Sequence, residues 1–193
     1  GRYPLVQFLL NRCCNNLSLA NDFYWAVEVE TEDTNMSNHF TNISKLFQIQ
    51  LNSTSFGRNI LNIISDQVQL VERLKKCHYN SVFRKEIRSL KPPEKSILLK
   101  ESLGERRPFS DLRSINVLSP LDSSVNLLGI LPDKAKFFAS ATCPMYMEWK
   151  LKKNDDLVNA KWSHEYNISE SDDTRSVLSN TSTASTVTAI SSY

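Results

Sequence analysis

Through the first half of the chain apolar residues return every three to four positions, the spacing of one buried helix face. From Pro4, which suits a first helical turn, Leu5, Phe8, Leu9 and Arg12 keep that period. A second run opens on Ser18 as a potential cap, sets Leu19, Phe23, Ala26, Val27 and Glu30 on one side, and ends in the acidic VEVETED. The third carries Phe40, Ile43, Phe47, Gln50 and Leu51. The fourth, from about Phe56, carries Ile60, Ile63, Ile64, Val68, Val71 and Leu74, with Gly57 near its start, where a glycine costs little. Short polar loops between such runs predict an antiparallel helical stack, and the lack of long polar heptad faces argues against a coiled coil. The fourth helix is expected to continue toward Leu90 and to be ended by Pro92-Pro93, which cannot donate to it.

After a short helical piece around Ser96 to Leu103 the period changes from about four to two. Ser114 to Leu118 alternates like a strand, Ser119-Pro120-Leu121-Asp122 is turn chemistry, and Val125 to Ile130 is a strand stopped by Pro132. Phe137-Phe138, the small-residue run Ala139 to Pro144, and a strand from Met145 to Leu151 follow. Lys152 to Asp156 then reads as a hairpin turn, with Val158 to Tyr166 as its return. Helices first and antiparallel strands second predict an α+β chain: a helical stack followed by a partial antiparallel sheet. Between Ser169 and Tyr193, 13 of 25 residues are Ser or Thr with few large apolar side chains, so burial cannot offset ordering entropy and disorder is expected. The expected organisation is therefore 1–91 helical, 92–168 strand-rich, and 169–193 a disordered insert.

Composition narrows the function classes. With 40% hydrophobic and 23% charged residues and a net charge of +2 over 193 residues, the chain reads as a soluble globular protein. Its first residue is Gly, no secretory leader opens it, and no apolar run approaches the roughly 18 to 20 residues that span a bilayer. Cys13, Cys14, Cys77 and Cys143 form no C-x-x-C pair, which fits reduced intracellular thiols and makes the six N-x-S/T sequons compositional. From Glu72 to Arg107 eleven Lys/Arg face five Glu. This basic stretch reads as the solvated face of a helix, or else as a patch for anionic lipid or a partner; without interleaved aromatics it does not suit nucleic acid.

His39, His78 and His164 are scattered through polar stretches, and no metal-ligand or nucleophile motif is present, so no catalytic and no metal-binding residue is assigned. What remains is the turn after Phe138. A serine between small residues and between two strands lets backbone N–H groups and one hydroxyl approach a phosphate closely, although spacing alone favours a plain hairpin.

Two collinear stretches carry a resemblance. FLLNRCCNNLSLANDFYWAVEVETED, through Phe8, Leu9, Arg12, Asn16, Leu19, Ala20, Asn21, Tyr24, Trp25, Val29, Glu30 and Asp33, resembles the helical-domain signature of class III phosphatidylinositol 3-kinases, the vacuolar-protein-sorting type. SPLDSSVNLLGILPDKAKFFASATCPMYMEW, through Pro120, Leu121, Val125, Gly129, Ile130, Pro132, Ala135, Phe138, Ser140, Ala141 and Pro144, resembles the entry into that family's kinase N-lobe.

The resemblance implies that Ser140 contacts the phosphates of ATP and that Phe138 and Pro144 line its adenine pocket, with Ala139 where the family usually has lysine. It implies ATP and Mg²⁺ as cofactors, and transfer of phosphate to the 3-hydroxyl of phosphatidylinositol on a membrane surface. It further implies a regulatory protein kinase and a Beclin-like subunit as partners, and a cytoplasmic location, peripheral on endosomal and autophagic membranes. The family's V-x-F-K, G-D-D-L-R-Q-D, D-R-H-x-x-N and D-F-G do not stand intact in the chain; Lys153 to Leu157 only echoes the second and reads as a hairpin turn. The expectation is an inactive internal fragment of such a kinase: the end of the helical domain (1–91), the start of the kinase N-lobe (92–168) and an insert (169–193). The competing expectation is a non-catalytic helical scaffold that binds partners or anionic membrane.

Overall fold

The computed structural model describes residues 4–32, 35–82, 84–85, 87–140 and 142–153. The expected return strand from Val158 and the Ser/Thr-rich segment lie outside these residues. The chain divides into two compact units, one of Gly1–Tyr79 with Asn116–Leu127, the other of Asn80–Ile115 with Leu128–Tyr193.

The first unit is built on α1 (Pro4–Cys13), α2 (Leu17–Thr31), α3 (Ser37–Asn52) and the greater part of α4 (Ser55–Val82). Asn16, rather than Ser18, caps α2: its side-chain oxygen accepts the Leu19 amide at 3.0 Å, satisfying a donor that the first turn leaves unpaired. The core runs through Leu10, Cys13, Leu17, Ala20, Val27, Ile43, Phe47, Leu51, Ile60, Ile64 and Leu70. Phe23 stacks on Phe47 at 5.6 Å between ring centroids. The expected face of α3 is buried as read, but that of α1 is not: Leu5 and Phe8 are exposed, and the inward stripe passes through Leu10 and Cys13. A cysteine here acts as a small hydrophobe, a role that the apolar count along the sequence omitted. Burial, with Cys14 beside it, pushes the Cys13 thiol up to about 11, which keeps it protonated and unreactive at neutral pH. In α2, Ala26 and Glu30 are likewise exposed, while Asn21 is fully buried.

That buried asparagine belongs to a polar lock. The Gln67 side-chain amide donates to Asn21 Oδ1 at 2.8 Å and to the Ser119 carbonyl at 3.3 Å, and its oxygen accepts Trp25 Nε1 at 3.1 Å. Asn21 in turn donates to the Pro120 carbonyl at 2.9 Å. Gln67 and Asn21 are fully buried, and every buried polar side-chain atom among the described residues has a partner. The lock holds the segment 116–127 on the helices by its backbone carbonyls, leaving side-chain identity at Pro120 and Leu121 free of that task. Within this segment β1 (Val117–Leu118) pairs antiparallel with β2 (Val125–Ile130), Val117 opposite Leu127 and Leu118 opposite Asn126. Ser119 Oγ accepts the amides of Leu121 and Asp122, and the Asp122 carboxylate accepts the Ser124 amide, so the turn predicted from SPLD is fixed by its own side chains.

The second unit begins inside the last turn of α4, which stops at Val82 and does not continue toward Leu90. Pro92 and Pro93 do not end that helix; they open the next one, α5 (Pro92–Ser102), where the missing N–H groups are orphans in any helix. The Glu94 carboxylate accepts the Lys91 amide at 2.8 Å, completing this start. A 3-10 turn over Ser110–Arg113 precedes β1, and another over Pro132–Lys134 leads from β2 to β3 (Lys136–Phe137). The expected single strand from Met145 to Leu151 is two strands, β4 (Met145–Tyr146) and β5 (Trp149–Lys153), because they serve different sheets. One sheet has the order β1-β2-β5; the other is the β3-β4 pair. Leu99, Leu103, Phe109, Leu112, Ile130, Ala135, Phe137 and Met147 are buried in this unit. Helices followed by small antiparallel sheets make the fold α+β, as the two periodicities predicted. No described helix is long and apolar enough to cross a membrane.

Candidate functional site

The three residues singled out in the sequence, Phe138, Ser140 and Pro144, fall on one hairpin. β3 and β4 pair antiparallel with Lys136 opposite Tyr146 and Phe137 opposite Met145. Phe137, buried, points into the unit, and its amide donates to Ser96 Oγ on α5 at 2.9 Å. The Ser96 hydroxyl in turn donates to the Pro92 carbonyl at 2.8 Å, so the hairpin is fastened to the proline start of α5. Its last rung is the Phe138 amide donating to the Pro144 carbonyl at 3.1 Å.

Between these two residues the chain turns without glycine. The Ser140 amide donates to the Phe138 carbonyl at 3.0 Å and the Cys143 amide to the Ser140 carbonyl at 3.1 Å. Cys143 takes φ 47°, the left-handed region that a non-glycine residue adopts only when its surroundings hold it there. Its side chain is buried. The backbone N–H groups of Phe138, Ser140 and Cys143 are thus committed inside the loop, and the polar side chains that the described loop residues present outward are the hydroxyls of Ser140 and Thr142, exposed and 3.3 Å apart. A hydroxyl pair of this kind can donate two hydrogen bonds to one anionic oxygen or to two neighbouring ones.

Phe138 is 44% exposed and meets Tyr146 edge to face at 5.9 Å. Pro144 is half-buried, and Ala139 adds no charge at the tip. Lys136 holds its ammonium 4.9 Å from the Tyr146 ring centroid and 5.4 Å from that of Phe138. The Tyr146 hydroxyl donates to Glu148 at 3.0 Å, and this hydrogen bond is the main reason its pKa is raised. Lys136 and Thr142 were not singled out from sequence. The signal for Lys136 was available: it lies two residues before Phe138, hence on the same strand face.

Elsewhere, an open groove of about 670 Å³ in the first unit is lined by Phe23, Val27, Met36 and Phe40, with Glu30 its only charged lining residue among the described residues. That lining offers a nucleotide nothing cationic. Among the described residues no group of three or more His, Cys, Asp or Glu is placed to hold a metal ion.

No protein-family model matches the chain. Individual proteins do. Phosphatidylinositol 3-kinase pik3 of Schizosaccharomyces pombe is 33% identical over 164 residues, 80% of this chain and 20% of the relative. Phosphatidylinositol 3-kinase VPS34 of Saccharomyces cerevisiae is 32% identical over 151 residues, 78% of this chain and 16% of the relative. The VPS34 of Candida glabrata is 32% identical over 145 residues, 74% of this chain and 14% of the relative. Over about three quarters of its length the chain is thus similar in sequence to phosphatidylinositol 3-kinases. Its kinship is with those named VPS34 and pik3, and it spans a fifth or less of their length.

Proposed function

We propose that the chain is an internal piece of a class III lipid kinase, one that transfers the γ-phosphate of ATP to the 3-hydroxyl of phosphatidylinositol. In this reading residues 1–91 close the helical domain, 92–168 open the kinase N-lobe, and 169–193 form an insert before the strand that bears the ATP-binding lysine. The β3-β4 hairpin covers the nucleotide: the Ser140 hydroxyl meets a phosphate oxygen, while Phe138 and Pro144 border the adenine. The observation that carries the reading is that all three residues, separated by up to six positions, are gathered by one glycine-free turn presenting paired hydroxyls.

ATP supplies the transferred phosphoryl group; this chain's part is to position it and shield it from water. In this reading Mg²⁺ is held by the D-F-G segment of the whole kinase, a motif that this sequence does not contain. The reading extends to a phosphatidylinositol membrane surface, a regulatory protein kinase subunit and a Beclin-like subunit as partners. It also extends to work in endosomal trafficking and autophagy from the cytoplasmic side of those membranes. Phosphatidylinositol vesicles with radiolabelled ATP test it: the full-length encoded protein is expected to make the 3-phosphate, and the 193-residue chain alone none. Product at another hydroxyl, or transfer by the short chain, overturns it.

A further inference from the structure

We propose that Lys136 is the phosphate-binding cation of the hairpin, held beside the loop by the rings of Phe138 and Tyr146. The inference rests on the nucleotide reading of the hairpin and names a residue that reading does not contain. From Lys136 to Tyr146 the sequence KFFASATCPMY has one charged residue, Lys136 itself. A loop that takes a polyanion with hydroxyls alone leaves most of the charge unmatched, and the three N–H groups described above are already spent inside the turn.

The geometry makes Lys136 available. Phe137 between Lys136 and Phe138 is buried, so the two flanking residues share the outer face, and Tyr146 stands directly across from Lys136 on the same face. The ammonium lies 4.9 and 5.4 Å from the two ring centroids, whose planes meet at 72°. Rings attract a cation through their quadrupoles and supply no lone pairs, so the contact fixes the ammonium's place while leaving its N–H donors open to an anion. Among the described residues no carboxylate stands within ion-pair distance of Lys136, and Glu148, two residues past Tyr146, accepts from the Tyr146 hydroxyl. An exposed cation with a fixed position and no acidic partner, on the face that Phe138 shares, is suited to meet the nucleotide's phosphates.

The competing role is mechanical: a surface cation–π contact that merely steadies a two-rung hairpin. Steady-state kinetics of the full-length protein separate the two, with ATP and phosphatidylinositol vesicles varied independently. Lys136→Met, which keeps contact with the rings and removes the charge, is expected to raise KM for ATP about tenfold, the loss of one charge-assisted hydrogen bond. KM for the lipid should be unchanged. Lys136→Arg should stay within about twofold of the parent by keeping both charge and stacking. Adding Ala139→Lys to Lys136→Met should recover most of the lost ATP affinity while the same change in the parent adds little; an equal gain in both backgrounds would mark an independent charge and count against the proposal.

If Lys136→Met lowers the melting temperature and leaves KM for ATP unchanged while Ser140→Ala raises it, Lys136 only packs and the proposal falls, with the nucleotide reading intact. If KM for the lipid rises instead, the cation serves the head-group phosphate and the proposal is equally overturned. If neither Ser140→Ala nor Lys136→Met moves KM for ATP, the nucleotide reading itself has failed. Should Lys136→Met not fold, Lys136→Gln, which retains the aliphatic stem over the rings, provides the same comparison.

Discussion

Replacing Gln67 by leucine is expected to lower unfolding stability by about 3 kcal/mol, although leucine fits the volume and is the better helix former. The cost comes from what the change leaves behind. Asn21 Oδ1, the Ser119 carbonyl and the Trp25 indole N–H each lose their partner, and the first two sit where water does not reach freely. Each orphaned buried group costs about 1–3 kcal/mol, partly recovered at the half-buried Trp25. Asn21→Leu alone should cost a similar amount. The double variant should cost clearly less than the sum, with a coupling of about 1–2 kcal/mol, because it leaves fewer orphans than the two single changes added together: the bond between Gln67 and Asn21 is lost with both its partners. Urea unfolding followed by circular dichroism reads all three; strict additivity would show that the lock is not a unit.

Gly129→Ala is expected to be worse. Gly129 sits at φ 138°, and a Cβ there would lie 2.1 Å from the Arg113 carbonyl oxygen and 2.5 Å from its carbonyl carbon. Neither obstacle is a side chain that can swing aside, since both belong to the backbone leading out of the Ser110–Arg113 turn. Backbone strain of about 1–3 kcal/mol for the conformation adds to the displacement of that neighbour, so a loss of about 3 kcal/mol or more follows. Because β2 runs on through Ile130 to the turn before β3, the damage reaches the root of the hairpin. Thermal melting of the variant, with its soluble yield, is the check; a protein that melts within a degree of the parent would refute the close approach.

Periodicity showed the helices of the first half and the change to strands, but it misplaced faces wherever the buried stripe used cysteines or polar residues left out of the apolar spacing. Cys13, Cys77, Asn21 and Gln67 are all fully buried. The two polar ones are inside because they bind the backbone of a segment some fifty to a hundred positions away, a pairing that no local window contains. The prolines misled for a different reason. Pro92-Pro93 is incompatible with a helix interior and suits a helix start equally well, and the chain uses the second option. At the candidate site, the order of residues marked the loop, and composition argued against it for want of glycine. The structure supplies what glycine would have supplied through Cys143 in the left-handed region and through hydroxyls in place of backbone donors. The spacing of Lys136 from Phe138 put the two on one strand face, but its second ring, Tyr146 across the hairpin, becomes visible only with the register.

Amide hydrogen exchange on the full-length protein, with and without a saturating non-hydrolysable ATP analogue, tests most directly whether this hairpin covers a nucleotide. The amides of Phe138, Ser140 and Cys143 are bonded only within the loop, so they are expected to open readily when free and to slow by about tenfold when phosphates sit against the turn. Peptides covering Leu17–Thr31 and Ser37–Asn52 should exchange at the same rate in both states. Identical exchange across Phe138 to Pro144 with and without the analogue, at a concentration that supports turnover with ATP, would contradict the account.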